Sequence, residues 1–290
     1  MKDLESIIPI ITPFTNNRID KQLAVEHGND VLKGGMKYLF LAGTTGIGPS
    51  ISTPEKIELL EAFSNVPDQI ILQVGSLNLE DSINMARAAK KKKIHAVGAL
   101  PPYYFTGMKR EWLVRYYVKI STEYPTLIYN YPDTTGYNIK YDIINDIKKE
   151  GGNVIGIKET TFNMDDILNT KMYVNDFKVY TGPDQYILSA FRLNLDGYVS
   201  GAGNYGYKII KGIEANFDND KGDKYQFLLN ELSGLSRKYG TISSIYDMVE
   251  IMTGVHAGNP REPFFKISEE ERGQLKTEMN ALFKKYNYTL

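Results

Sequence analysis

At 290 residues the chain exceeds an average domain but suits a single α/β barrel, which runs to roughly 250 residues. Its 34 basic and 35 acidic residues leave a net charge of -1, which points away from nucleic acid and anionic membranes. The absence of cysteine excludes disulfides, thiolate catalysis and cysteine metal sites. Asp3 and Glu5 stand where a signal peptide needs basic, then apolar residues, and no apolar run approaches a membrane span. The expectation is a soluble, cytoplasmic protein.

Short β-rich runs alternate with longer helical patterns. Residues 6–12 read as the first strand, stopped by Pro13. Asp20 caps a helix running to about Lys33, with Gly34 and Gly35 as its stop. Residues 38–42 form the second strand and lead into Gly43-Thr44-Thr45-Gly46, after which Thr53-Pro54-Glu55 opens a helix. Residues 70–74 are the third strand, followed by a helix over Leu79–Lys92 that Lys90 to Lys93 close as a solvated end. Residues 96–100 are the fourth strand, stopped by Pro101 and Pro102, before a helix over 109–123. Thr126–Asn130 and Tyr141–Lys149 are the fifth strand and its helix. Residues 154–158 and 164–174 are the sixth pair, Lys178–Thr181 and 185–191 the seventh, and 197–200 the eighth strand. Beyond Tyr207 the pattern is helical, with Asp218 to Asp223 expected as a loop.

Eight strand-helix pairs describe a (β/α)8 barrel over residues 1–207 with a helical extension over 208–290 packed as one unit. A doubly wound sheet is the alternative. In such barrels sites form at the carboxyl ends of the strands. That rim collects Thr12-Pro13-Phe14, Gly43 to Gly46, Gly75-Ser76, Pro102-Tyr103-Tyr104, Tyr129 to Pro132, Lys158, Gly182-Pro183-Asp184 and Gly201-Ala202-Gly203, with no pair of carboxylates.

Lys158 closes the apolar run Val154-Ile155-Gly156-Ile157. Burial disfavours an ammonium, and a neutral amine is a nucleophile toward carbonyls. Strand alternation predicts Gly156 and Val154 on the same inward face, with Gly156 leaving room for a small keto acid beside the amine. Thr44 and Thr45 between two glycines offer hydroxyls and backbone donors suited to a carboxylate. Tyr129 ends the neighbouring strand, where its phenol can move a proton. Gly201 to Gly206 matches G-x-G-x-x-G, but it follows the last strand, so no βαβ unit carries it and it reads as a loop for close backbone approach. His27, His95 and His256 have no metal-ligand spacing. Trp112, Tyr116 and Tyr117 read as core.

These motifs together resemble the pyruvate-dependent, Schiff-base aldolase family that includes dihydrodipicolinate synthase and N-acetylneuraminate lyase, over residues 6–265. The carriers are Thr12-Pro13-Phe14, Gly43-Thr44-Thr45-Gly46, Tyr129-Asn130-Tyr131-Pro132 and Gly156-Ile157-Lys158-Glu159-Thr160. Within it, Gly43 to Ser50 is most similar to the archaeal 2-keto-3-deoxygluconate aldolases. Ile47 stands where the synthase usually has glutamate, and Thr134 where it has an arginine. The lyase shares the missing arginine and stays an alternative. The resemblance implies Lys158 as imine lysine and Tyr129 as proton relay, with Thr44 and Thr45 holding the carboxylate and Thr45 counted in the catalytic set. It implies a pocket lined also by Pro9, Tyr104, Tyr131, Gly182, Val199, Gly201 and Arg237. It implies no cofactor beyond the imine, a keto-acid substrate, and a homotetramer in which Tyr104 reaches a neighbour's site. Some subgroup members accept the 6-phosphorylated acid, matching here at Tyr131 and Arg237. Their further arginine aligns with Gly107, and Lys109 and Arg110 fall in the next helix. A preference for the unphosphorylated acid is therefore expected, in a non-phosphorylative Entner-Doudoroff type degradation. Rival readings from other classes are a nicotinamide-dependent oxidoreductase using Gly201 to Gly206 and a non-catalytic keto-acid sensor.

Overall fold

The computed structural model describes residues 4–289; Met1, Lys2 and Asp3 of the N-terminal stretch lie outside them. Eight parallel strands close into a ring: β1 Glu5–Ile8, β2 Tyr38–Leu41, β3 Ile70–Gln73, β4 Ala96–Ala99, β5 Thr126–Asn130, β6 Val154–Glu159, β7 Lys178–Thr181 and β8 Gly197–Val199. Each pairs with its successor, and β1 pairs with both β2 and β8, which makes this a (β/α)8 barrel and rules out the open doubly wound sheet. The outer helices are α1 Lys21–Lys33, α2 Thr53–Ala62, α3 Leu79–Lys92, α4 Arg110–Ser121, α5 Tyr141–Lys149, α6 Met164–Tyr173, α7 Ile187–Arg192 and α8 Gly203–Ala215. Three more follow: α9 Asp220–Lys238, α10 Thr241–Thr253 and α11 Glu269–Tyr286. No helix among the described residues is long and apolar enough to cross a membrane.

Period-two alternation along the strands sorts their side chains into two layers. Ile8, Leu39, Leu72, Val97, Ile128, Ile157 and Val179 face the helices. Ile7, Tyr38, Phe40, Ile71, Leu127, Tyr129 and Tyr180 fill the barrel interior. A third cluster joins Tyr198 on β8 to the C-terminal helices through Ile209, Leu229, Met248 and Leu275. At the amino end of the ring Glu5 accepts hydrogen bonds from Lys37, Lys178 and Tyr180. Burial pushes its carboxyl up, but these donors outweigh burial and hold it at about 2.

β1 stops at Ile8 rather than reaching residue 12, because the next backbone groups go to side chains instead of a ladder. Pro9 has no N–H to give. Its carbonyl accepts from Asn204 Nδ2 at 3.0 Å, Ile11 N–H donates to Asn204 Oδ1 at 3.0 Å, and Tyr246 donates to the Thr12 carbonyl at 2.8 Å. Asn204 Nδ2 also donates to the Gly201 carbonyl, and His27 Nε2 lies 2.9 Å from Asn204 Oδ1. One buried amide thus ties the loops after β1 and β8 together at the closure of the ring.

One element was not anticipated, and three other expectations are corrected. Residues 14–19 form a small hairpin, Phe14–Thr15 against Arg18–Ile19, through Asn16 and Asn17 at φ 50° and 60°, a two-asparagine turn with both residues left-handed. The loop expected at Asp218 to Asp223 ends at Asn219, whose side chain caps α9; Gly222 lies inside the helix, where a Cβ would sit 2.2 Å from the Asn216 carbonyl. Trp112 is not core: it is 51% exposed, while Tyr116 and Tyr117 are buried. Val154 does not share the Lys158 face. A bulge lets Thr126 pair with Val154 and Leu127 with Gly156, so the alternation slips and Val154 joins the helix-facing core.

Candidate active site

Lys158 and Tyr129 are register partners on β6 and β5, so both project from adjacent strand ends into the top of the barrel. Lys158 is 8% exposed and Tyr129 is buried. The Lys158 Nζ lies 4.0 Å from the centroid of the Tyr129 ring. Phe40 meets that ring edge-on at 5.7 Å, and Tyr131 stacks on it at 6.2 Å. The Tyr129 hydroxyl shares a 3.0 Å hydrogen bond with Thr44 Oγ1. The Tyr129 ring thus carries the amine over its face and the hydrogen-bonded Thr44 hydroxyl at its phenolic end.

The turn after β2 presents Thr44 and Thr45 for a specific reason. Ile47 N–H bonds the Thr44 carbonyl at 3.0 Å and Gly48 N–H bonds the Gly43 carbonyl at 2.9 Å, which folds the loop back over β2. Gly48 is required there, since a Cβ would lie 1.7 Å from the Ala42 carbonyl oxygen. Thr12 Oγ1 donates to the Gly46 carbonyl and anchors the far side.

These residues line a cavity of about 190 Å³ at the carboxyl ends of the strands. Of the residues singled out from sequence, Lys158, Tyr129, Thr44, Thr45 and Pro9 line it, as do Tyr131, Gly182, Val199, Gly201 and Arg237. Tyr104 does not. It is 80% exposed on the loop after β4, held at φ 74°, and lies outside this chain's own cavity. Gly156 also fails its expected part: Leu127 and the Lys178 carbonyl occupy the space a Cβ would take, so the room beside it is already filled and it is absent from the lining. Gly107 sits in open space at φ 86° and does not line the cavity. Arg110 is committed to Asp142 and Asp146 on α5.

Sequence reasoning put Asp184 on the rim without giving it a role, and of the helical wall it foresaw only Arg237. Asp184, just beyond β7, lines the cavity and accepts from Ser200 Oγ at 2.6 Å. Burial pushes its carboxyl above the usual range, against the pull of Ser200, the Ala202 N–H, Lys158 and Arg237. Ser233, Ser236 and Arg237 on α9, with Thr241 on α10, supply hydroxyls and a guanidinium at the outer end. Their spacing at i, i+3 and i+4 marks a shared helix face, a signal present in the chain.

Gly201 to Gly206 is not the loop expected: residues 203–206 form the first turn of α8, and the glycines serve packing. A Cβ on Gly203 would meet the Ile8 side chain at 2.3 Å, and one on Gly206 would meet Leu229 at 2.9 Å. The cavity is also small beside the roughly 300–1,000 Å³ of sites for larger ligands. Neither feature supports a dinucleotide. Among the described residues no group of three or more His, Asp or Glu side chains is placed to hold a metal ion. His27 is buried against Asn204, His95 stacks on Tyr38 at 4.1 Å, and His256 faces Glu250.

The family model described as the dihydrodipicolinate synthetase family matches residues 3–282. A 2-dehydro-3-deoxy-phosphogluconate/2-dehydro-3-deoxy-6-phosphogalactonate aldolase of Saccharolobus solfataricus is 38% identical over 277 residues, covering 93% of each chain. A 2-dehydro-3-deoxy-D-gluconate/2-dehydro-3-deoxy-phosphogluconate aldolase of Thermoproteus tenax is 34% identical over 278 residues, covering 94% of this chain and 90% of that one. The crystal structure of KD(P)GA from T. tenax superposes with a TM-score of 0.92 at 31% identity, over 97% of this chain and all of that one. Matched along nearly its whole length in sequence and in fold, the chain belongs to the dihydrodipicolinate synthetase family.

Proposed function

We propose that the chain is a class I aldolase, an aldehyde-lyase that reversibly cleaves 2-keto-3-deoxygluconate to pyruvate and glyceraldehyde through an imine on Lys158. The observation that carries this reading is the Lys158 amine over the Tyr129 ring, with the Tyr129 hydroxyl hydrogen-bonded to Thr44. Thr44 and Thr45 hold the substrate carboxylate and keep C2 near the amine; such positioning supplies a large share of catalysis.

Neutral Lys158 attacks the C2 ketone, and loss of water leaves a protonated imine. The C4 hydroxyl gives its proton to the Tyr129 relay, directly or through water, as the C3–C4 bond breaks. The electron pair of that bond moves into the imine, so glyceraldehyde leaves and an enamine remains. Protonation at C3 regenerates the imine, and hydrolysis releases pyruvate and the amine. Every proton and electron pair is accounted for by Lys158, Tyr129 and water, so the scheme calls on no cofactor. Asp184, Ser233, Ser236 and Thr241 face the sugar hydroxyls, and Val199 and Gly201 keep the outer wall low.

The Thermoproteus relative is named for both the plain and the phosphorylated acid. Here the unphosphorylated acid is preferred, as befits a non-phosphorylative Entner-Doudoroff type degradation. Arg237 and Tyr131 line the outer cavity, but Gly107 brings no charge and Arg110 is engaged by two aspartates. Ile47 and Thr134 weigh against the synthase reaction, and lyase activity on N-acetylneuraminate is tested in the same substrate panel. Borohydride reduction with pyruvate, followed by peptide mass mapping, is expected to mark Lys158. An unmodified Lys158 removes the mechanism. Modification without turnover of any keto acid would instead make the protein a sensor. Equal kcat/KM on both acids removes the preference.

A further inference from the structure

One residue beyond the reacting pair, Asn130 and Glu159 end β5 and β6 on the outer face of the barrel. They are register partners, as Tyr129 and Lys158 are. Asn130 Nδ2 donates to Glu159 Oε1 at 2.7 Å and to Asn138 Oδ1 at 2.9 Å, and Asn130 Oδ1 accepts from Ile139 N–H at 2.9 Å. Asn138 Nδ2 continues the chain to Asp166 Oδ2 on α6 at 3.0 Å. The backbone follows the same path: Thr160 N–H donates to the Asn130 carbonyl and Gly182 N–H to the Glu159 carbonyl.

Packing alone does not call for this pair. Two residues earlier the same face carries Ile128 and Ile157, both wholly buried in the helix-facing core. A matched polar pair contributes little net stability over an apolar one of the same shape, whereas its directionality fixes geometry. Asn130 also ties down the segment from Tyr131 to Ile139, whose first residue stacks on Tyr129.

We infer that Asn130 and Glu159 are positioning residues, whose side-chain hydrogen bond holds the ends of β5 and β6 in the register that sets Tyr129 against the Lys158 amine. This rests on the imine reading of Lys158. The lock operates with an uncharged carboxyl. Burial, more than any other influence, pushes Glu159 up to about 8; Asp166 on α6 adds to this, while Asn130, Thr161 and Lys140 oppose it. Asp166 and Lys140 also face each other at 3.7 Å. Ionisation of Glu159 leaves an unsolvated carboxylate beside Asp166, and the cost of burying that charge exceeds what the Asn130 hydrogen bond gains, so the ionised side chain is drawn toward solvent and away from the lock.

The test compares wild type, Glu159→Gln and Glu159→Ala in turnover of 2-keto-3-deoxygluconate across about pH 6 to 9, with pyruvate–borohydride labelling rates for each, per folded protein. Glu159→Gln keeps the acceptor without the charge. It is expected to hold kcat within ~2-fold at neutral pH and to lose the wild-type decline above about pH 8. Glu159→Ala is expected to lower kcat and the labelling rate ~10–100-fold, with KM changed less than ~3-fold, because misplacement acts on the chemical step. Wild-type kcat and labelling rate in folded Glu159→Ala overturn the inference. If that variant does not fold, Glu159→Gln decides alone, and a pH profile identical to wild type overturns it. Absence of label on Lys158 in wild type overturns the imine reading itself, whereas a labelled wild type with unaffected variants overturns only the lock.

Discussion

Lys158 owes its setting to one neighbour on each side. Tyr129 covers the amine from β5, and Tyr180, its register partner on β7, fills the interior below. Replacing Lys158 with Ala is expected to abolish turnover and borohydride labelling, because no imine forms. Tyr129→Phe keeps the ring under the amine but removes the relay, and kcat is expected to fall ~10²–10³-fold with labelling still detectable. Glu159 supports a stability prediction. The folded carboxyl holds its proton up to about pH 8, the unfolded one only to 4.5, so the folded state binds one more proton between these values. Stability therefore falls as pH rises through that window, by up to ~5 kcal/mol. Thermal melts of wild type and Glu159→Gln are expected to diverge as pH rises from about 5 to about 8, with wild type losing more stability than the variant. Lys158 was legible because counting strands put an apolar run ending in lysine sixth of eight, on the active rim beside Tyr129; the run alone reads equally as a strand meeting solvent. Val154 was misread because a bulge beside it is invisible to alternation, and Gly156 because Leu127 and Lys178 on the flanking strands fill its space. Asp184 was placed on the rim but given no role, because its burial and its bond to Ser200, sixteen residues away on another loop, exist only in the folded chain.

At the level of elements, period-two runs and helix stops revealed all eight strands and the first seven helices, whereas the glycines of 203–206 hid the first turn of α8. The strand-to-loop boundaries were less accessible. β1 ends where Asn204 captures Pro9 and Ile11, an event that depends on one residue 195 positions from the first and 193 from the second. Asn204→Ala leaves the Ile11 N–H and the Pro9 and Gly201 carbonyls without that partner in a buried setting. The variant is expected to lose ~2–4 kcal/mol, read as a lower midpoint in urea with an unchanged slope. The Asn16-Asn17 hairpin was readable from composition alone, since two asparagines suit a turn with both residues left-handed. The α9 face with Ser233, Ser236 and Arg237 was readable by helical spacing, but only the folded chain brings it over the barrel.

The whole molecule leaves apolar surface uncovered. Phe105 and Trp112 line a groove with Leu77 and Met108, next to the exposed Tyr104, and Met172 and Tyr173 stand out on α6. Scattered apolar side chains need no explanation, but contiguous ones mark association surfaces. The homotetramer implied by the family resemblance is expected in sedimentation equilibrium. Trp112→Glu is expected to produce smaller species with unchanged helical content. Equal mass for both proteins would remove Trp112 from any interface. Quaternary structure was beyond the reach of composition, because exposure of Trp112 depends on how α4 is rotated against the barrel.

The Asn204 tie has a consequence for how the protein is made. A ribosome adds ~5–20 residues per second, so Pro9 and Ile11 wait on the order of ten seconds or more for the amide that receives them. Through that interval β1 has β2 available on one side and an unpaired edge on the other, the side later taken by β8. The first strand to emerge is thus among the last to be sealed, which makes the nascent chain most vulnerable to wrong pairing just before its synthesis passes residue 204.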